Sequence, residues 1–351
     1  MKHHPIVLSV ALLSCVPDVQ EAHPRWREGD VVSERTFLQE ESVVIEWRIG
    51  GPADATLLDP RLVSAGPGGV TVWDRGRNAL VRISREGEQL WSFGGEGGGP
   101  GEFRSVPAIV HLPDGGAAVV DNVNQRLTVI GTNGAMARET RLGHDYPFSL
   151  AALSDDRLIV LTSATEHPFL LFDGNGSLVD SLSFPWGPYR DMSVIARQGS
   201  VLGVGDEWIF GFTAGNGWWR FSGEDVPEAF PYAEHAEFPA IRMLTSRSVV
   251  DGREEVTTRA RPAEPYDLSA VSFGARGDTL FVHYAGRTDD QRWIIDLFSL
   301  SSGAYLATVR LPFWARRIAV GPDVIYALYG TTYPMLAAVR RRPLNPNATG
   351  N

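Results

Sequence analysis

Phe93-Gly94-Gly95-Glu96-Gly97-Gly98-Gly99-Pro100-Gly101-Glu102-Phe103, followed by Pro107 and the apolar run Ala108-Ile109-Val110, decides how this chain is read. Six glycines in that span rule out a strand or helix interior, because glycine loses the most backbone entropy on being fixed. The stretch is therefore a tight loop. Before it, Gln89 to Phe93 alternates like a strand; after it, the apolar run ends at the turn Pro113-Asp114-Gly115-Gly116. A phosphate-cradling loop needs Gly-Lys-Ser/Thr and a following helix, whereas Gly101 leads into Glu102 and Phe103, so nucleotide binding is not expected. The loop reads as a crossing between two like units.

Internal repeats support that reading. Val70-Thr71-Val72-Trp73-Asp74 aligns with Ala117-Ala118-Val119-Val120-Asp121, and Leu80 to Ile83 with Leu127 to Ile130. The Asp-to-Gly interval is thirteen residues in both copies (Asp74 to Gly87, Asp121 to Gly134), and the copies lie 47 residues apart. Two β runs with one turn at a fixed offset form a hairpin, and the spacing between copies is that of a four-stranded propeller blade. In this hairpin the aspartate caps the turn between the second and third strands, and the glycine supplies a positive φ before the fourth. Because Asp74 and Asp121 recur, they are expected to be structural turn residues rather than catalytic ones.

The glycine loop resembles the linker of NHL-type β-propeller repeats, in which an outer strand ends in Phe-Gly and the next blade begins after Gly-x-Phe and a proline. Arg126, after Asn122-Val123-Asn124-Gln125, is similar to the arginine of the NHL signature, and a local aspartate is its expected partner. Further copies follow. The third runs from Leu158 to Gly176, with Ser163 where the aspartate would fall; the fourth spans Val201 to Phe221; the fifth begins at Leu268; the sixth begins at Arg317. Residues 224–265 are polar and proline-bounded and are read as an insertion on the fourth blade, with a short helix possible over Ala240 to Leu244.

The sixth copy lacks an outer strand. Val43 to Gly51 has the pattern of one, and pairing it near Met335 to Val339 closes the ring and removes the open edge. The expected fold is all-β, a six-bladed β-propeller over residues 42–343 closed by an N-terminal strand in the last blade, with a tail at 344–351. Alternative architectures are an open sandwich, or seven blades if residues 231–266 hide one.

At 351 residues, 43% of them hydrophobic, with 10 Trp, 9 Tyr and 16 Phe, the chain has material for a large core. A net charge of −10 disfavours nucleic acid as a partner. The start, Lys2-His3-His4 and then Ile6 to Leu13, reads as a targeting signal too short to span a bilayer. Leu12-Leu13-Ser14-Cys15 resembles the bacterial lipobox, which implies lipid attachment at Cys15, a signal over residues 1–15 and a tether over 16–41. Cys15 is the sole cysteine, so no disulfide can form within the chain. These features imply an exported protein anchored to a membrane in the cell envelope, periplasmic or on the surface, and expected to be a monomer.

The histidines are scattered without zinc spacing. Lactonase-type propellers hold calcium or zinc with Glu, Asn and Asp at the inner ends of several blades, whereas here the corresponding positions include Arg61, Pro107, Phe148, Ser193, Ser269 and Arg317. No metal and no cofactor are therefore expected. The expected role is a binding or interaction scaffold for a protein, small-molecule or carbohydrate ligand. The alternative is a metal-dependent hydrolase or lyase of the lactonase or amidating-lyase type; a third idea gives the insertion a partner of its own. Arg104, Asn122, Asn124, His283 and Arg317 are the candidate channel residues, a cationic and amide set suited to an anionic or carbonyl-bearing ligand in an acidic protein.

Overall fold

A computed structural model describes residues 34–38, 43–143, 145–184, 197–215, 217–223, 226–234, 240–250, 253–263, 268–285, 289–330 and 332–341. Cys15, the signal and most of the tether lie outside them. Among the described residues every regular element is a strand. After β1 (Val43–Gly50) come four-stranded antiparallel sheets: β2 (Pro60–Gly66), β3 (Gly69–Asp74), β4 (Ala79–Ser84) and β5 (Gln89–Gly94); then β6 (Ala108–His111), β7 (Ala117–Asp121), β8 (Arg126–Ile130) and β9 (Met136–Arg141). The third is β10 (Pro147–Ala152), β11 (Leu158–Thr162), β12 (Phe169–Phe172) and β13 (Leu178–Leu182), and the fourth β14 (Gly199–Val204), β15 (Glu207–Phe212), β16 (Gly217–Phe221) and β17 (Glu228–Pro231). A separate hairpin, β18 (Ile241–Val250) with β19 (Arg253–Pro262), precedes the fifth sheet of β20 (Ala270–Arg276), β21 (Thr279–Tyr284), β22 (Ile294–Ser299) and β23 (Tyr305–Arg310). The last is β24 (Ala315–Val320), β25 (Ile325–Tyr329) and β26 (Met335–Arg341), completed by β1.

The fold is thus a six-bladed propeller whose N-terminal strand closes the last blade. Val43 pairs with Arg341 and Gly50 with Met335, across a bulge between Ile45 and Trp47. Trp47 adds an indole N–H to the Arg85 carbonyl in the first blade, fastening the closing strand sideways as well. Parallel to β23, residues 36–38 form a short strap: Leu38 N–H donates to the Thr308 carbonyl and Thr308 N–H to that of Thr36.

Two readings of the 224–265 stretch change. Glu228–Pro231, placed inside the insertion by its polarity, is the outer strand of the fourth blade and pairs with Gly217 to Arg220. Ala240 to Leu244 does not start a helix, since Ile241–Val250 runs ten residues of ladder against Arg253–Pro262. Thr245, Val249, Val250, Val256, Thr257 and Thr258 favour extended backbone, and pairing along the ribbon satisfies it. The described residues of 231–266 hold a hairpin, not a seventh blade.

Hydrophobic cores lie between neighbouring blades, one at each junction around the ring. The most aromatic joins the third and fourth blades. There Trp208 stacks on Phe221 with centroids 3.7 Å apart, and Phe169 meets Trp208, Phe210 and Phe221 edge-on. Such pairs add about 1 kcal/mol each beyond area burial. Trp218 and Trp219 are buried in these cores as well. At alternate junctions a serine hydroxyl of one innermost strand accepts the N–H of the next: Ser64 from His111, Ser149 from Val201, Ser272 from Ile318.

Candidate functional site at the channel mouth

Each blade is an up-and-down sheet, so the start of its first strand, the turn between its second and third strands and the linker from the preceding blade all lie on one face of the disc. That entry face carries all five candidate channel residues, Arg104, Asn122, Asn124, His283 and Arg317. What separates them is distance from the central axis.

Asp121 lies deep in the second blade, 1% exposed, and its carboxylate gathers the linker and the turn together. Oδ2 accepts from Arg104 N–H at 2.8 Å and from Asn124 Nδ2 at 2.8 Å, while Oδ1 accepts from Ser105, Val123 and Asn124 N–H. Asp74 does the same in the first blade, accepting from Leu58, Asp59 and Gly76 N–H. Ser163 is the third blade's substitute, its hydroxyl accepting from Tyr146 N–H.

The glycine loop explains the rest of this cluster. Its backbone carbonyls have no side chains to shield them, so they need donors. Asn124 Nδ2 donates to Gly97 and Glu102 carbonyls, and Arg126 donates to Gly98 and Glu102 carbonyls. Arg126 pairs with Glu139 at 3.1 Å rather than with an aspartate, because β9 faces it across the ladder. Phe103 plugs the loop into the junction, edge-on to Trp73 and Phe93. Gly101 has φ +73°, and a side chain there would meet the Phe93 ring. Arg104 is exposed, with its guanidinium over Gly98. Arg104, Asn122 and Asn124 therefore sit at the loop and turn of the second blade, outside the lining of the central cavity.

His283 is also withdrawn, fully buried on β21. Its Nε2 faces the Arg292 carbonyl at 3.4 Å and its Nδ1 the Ser272 hydroxyl at 3.3 Å. Burial, aided by the Arg292 and Arg317 charges, pulls it down to about 3, so it is neutral. His111 on β6 is neutral for a similar reason: burial and Arg82, whose Nη1 donates to Nδ1 at 3.1 Å, lower it to about 4.

Arg317 alone of the five lines the cavity, a channel of about 700 Å³ walled by the innermost strands of all six blades. It is joined there by three arginines that the sequence did not flag as ligand residues: Arg61 on β2, Arg316 beside it on β24, and Arg292 from the loop between β21 and β22. All four lie in the sector of the fifth, sixth and first blades. Among the described lining residues the rest of the mouth is neutral, with Pro107, Phe148 and Gln198 at the strand entries of the second, third and fourth blades; Arg197, next to Gln198, stands outside the lining and donates to the Thr165 hydroxyl.

The arginines are held by backbone rather than by acids. Arg317 donates to the Val271 carbonyl at 2.9 Å and Arg292 to the Arg316 carbonyl at 2.8 Å, and Arg292 also lies 5.3 Å from the Trp314 ring centroid. Asp59 is the one carboxylate among them, 2.8 Å from Arg61 and 3.7 Å from Arg316. Burial first, then mutual repulsion, lowers Arg292, Arg316 and Arg317, the last to about 10, so all stay charged at neutral pH. Arg292 further adopts φ 63°, a left-handed conformation that costs a non-glycine residue about 1 kcal/mol or more.

Chemically this is an anion-attracting opening. Among the described residues the lining has no carboxylate or thiol and one neutral imidazole, His111, a donor set that does not suit a divalent cation beside four guanidiniums. Among the described residues no three His, Cys, Asp or Glu side chains come together in a metal-ligating group.

No family model matches the sequence. No curated protein matches it either. Solved structures do resemble the fold. A protein described as exported, from Bacteroides fragilis, is 11% identical with a TM-score of 0.55, over 90% of this chain and 98% of that one. Virginiamycin B lyase from Staphylococcus aureus is 12% identical with a TM-score of 0.53, over 86% and 100%. The WD40 repeats of RRP9 are 12% identical with a TM-score of 0.53, over 88% and 99%. Proteins with such different titles share the architecture, so at these identities the likeness speaks to the propeller fold alone.

Proposed function

We propose that this protein is a ligand-binding propeller of the cell envelope, exported and lipid-anchored through Cys15, whose ligand enters the central channel at the arginine-lined mouth. The observation that carries the reading is the cavity of about 700 Å³ whose charged side chains, among its described lining residues, gather in one sector of one opening. That volume falls in the range of small-molecule sites, and clustered fixed charge at a concave mouth concentrates ligands of opposite sign. The NHL-like linker and the lipobox-like Leu12-Leu13-Ser14-Cys15 support an envelope protein displaying a rigid disc on a tether. One acyl-bearing cysteine contributes about 0.8 kcal/mol per buried CH₂ to membrane retention.

A metal-dependent hydrolase or lyase is the weaker reading, because the described residues of the channel wall include no carboxylate to hold a cation or accept a proton. Native mass spectrometry of the detergent-extracted protein tests the binding reading. A small molecule retained by the wild type and lost when Ser200→Trp fills the channel supports it. Retention unchanged in that variant, or metal-dependent turnover of lactones by the purified protein, overturns it. Cys15→Ser is expected to release the protein from the membrane fraction; a variant that stays membrane-bound with unchanged mobility removes the anchor from the proposal.

A further inference from the structure

The four mouth arginines do not share one electrostatic state. Arg61 and Arg316 flank Asp59 and are partly neutralised by it. Arg292 and Arg317 have carbonyl partners, which satisfy donors without cancelling charge. Two guanidiniums, more deeply placed, thus face the cavity with no carboxylate beside them among the described residues. Buried cations left in that condition are costly, and the cost falls when an anion arrives. The left-handed backbone of Arg292 recurs at Asn78 and Gln125 in the equivalent turns of the first and second blades, so it belongs to the blade turn and serves here to fix where the Arg292 side chain starts.

The opposite side of the mouth is different in kind. In a six-bladed ring the third blade lies opposite the sixth, so Phe148 at the start of β10, partly packed on the core between the third and fourth blades, stands on the far side of the opening from Arg316 and Arg317, with Pro107 of the second blade on the same side. Both are incompletely buried and belong to the cavity wall. An apolar surface facing a cationic one selects a molecule with an anionic end and an apolar body.

We infer that the mouth is a binding site for a small organic oxyanion, a phosphate monoester or a carboxylate, whose charged head sits between Arg292 and Arg317 and whose apolar body lies over Phe148. Asp59 is the resident counter-charge, competing with the head for the outer arginines. This assignment rests on the channel reading above and adds the charge class and the orientation of the ligand. Bidentate geometry suits guanidinium to either head, so phosphate and carboxylate are distinguished by experiment.

The test is calorimetric titration of the full chain with phenyl phosphate, benzoate, inorganic phosphate and benzyl alcohol. Phenyl phosphate or benzoate is expected to bind, the tighter of the two identifying the head, with inorganic phosphate weaker and benzyl alcohol weaker still. Arg317→Gln and Arg292→Gln should each weaken binding about 10-fold or more, as loss of a charged hydrogen bond does. Asp59→Asn should tighten it several-fold, an opposite effect that general damage to the fold does not mimic. Should Arg317→Gln fail to fold, Arg61→Gln, on a half-exposed side chain, and Asp59→Asn still carry the test, with losses and gains respectively. Absence of binding by both aromatic anions at about 5 mM, or weaker binding by Asp59→Asn, overturns the assignment. Benzyl alcohol bound as well as the anions, insensitive to the arginine changes yet lost in Ser200→Trp, overturns the charge class alone and leaves the channel reading standing.

Discussion

Acid should destabilise this propeller well before its carboxylates titrate, because two imidazoles are buried neutral. His283 is completely buried and His111 is 7% exposed. Each spends its Nδ1 as an acceptor, from Ser272 and Arg82 respectively, so the proton added on charging meets a donor. Desolvation, with Arg292 and Arg317 near one ring and Arg82 near the other, holds them at about 3 and about 4 in the native state. The unfolded chain titrates near 6.5, so between these values it binds more protons than the native protein does, and stability rises with pH. The contribution is therefore whole above about pH 6.5 and is lost as pH falls from there. At pH 5 the unfolded imidazole is about 1.5 pH units past its midpoint, which at 1.36 kcal/mol per unit costs about 2 kcal/mol per histidine. Two of them amount to about 4 kcal/mol, a sizeable part of a typical 5–15 kcal/mol stability. Urea unfolding at pH 7 and pH 5 measures the difference. His283→Gln and His111→Gln should each remove about half of the pH-dependent loss, whatever they do to stability at pH 7. A wild-type loss below about 1 kcal/mol, or an undiminished loss in both variants, would refute the neutral-imidazole account.

Three further outcomes follow from the packing. Arg35 of the strap grips the buried Asp296 through Nε at 3.0 Å and Nη2 at 3.1 Å, so Arg35→Ala should cost about 3 kcal/mol by stranding that carboxylate, and Arg35→Ala with Asp296→Asn should recover part of it in chemical denaturation. Asp121→Ala should cost about 3 kcal/mol and raise hydrogen exchange at Arg104, Asn124 and the glycine loop, whereas an effect confined to overall stability would contradict its role as the knot between linker and turn. A chain beginning after Gly50 should aggregate on purification, because β26 then exposes its edge; a monodisperse product on size exclusion would count against closure as a source of stability.

The blades were legible because their signals are local. Asp74 to Gly87 and Asp121 to Gly134 repeat one turn chemistry at one interval, and the orphaned strand at Val43 had one open edge to fill. Glu228–Pro231 carries no strand signal of its own, being four residues long and opening on a charge, so its strand identity comes from pairing with Gly217 to Arg220. The site was harder for a geometric reason. Sequence position tells which face of the disc a residue occupies, and Arg104, Asn124 and Arg317 do share the entry face. It does not tell the radius. A turn between second and third strands lies a strand spacing or more, about 5 Å each, outside the first strand, so Asn124 spends its amide on the loop beside it. Arg104 is drawn outward as well, since its own N–H is bound by Asp121. Arg61, Arg316 and Arg317 reach the axis because they stand at first-strand entries, and Arg292 does so from a second-to-third-strand loop long enough to bring it inward at positive φ. Radius, not face, is what turns four scattered arginines into a single opening, and it is set by first-strand entry for Arg61, Arg316 and Arg317 and by the length of the loop between β21 and β22 for Arg292.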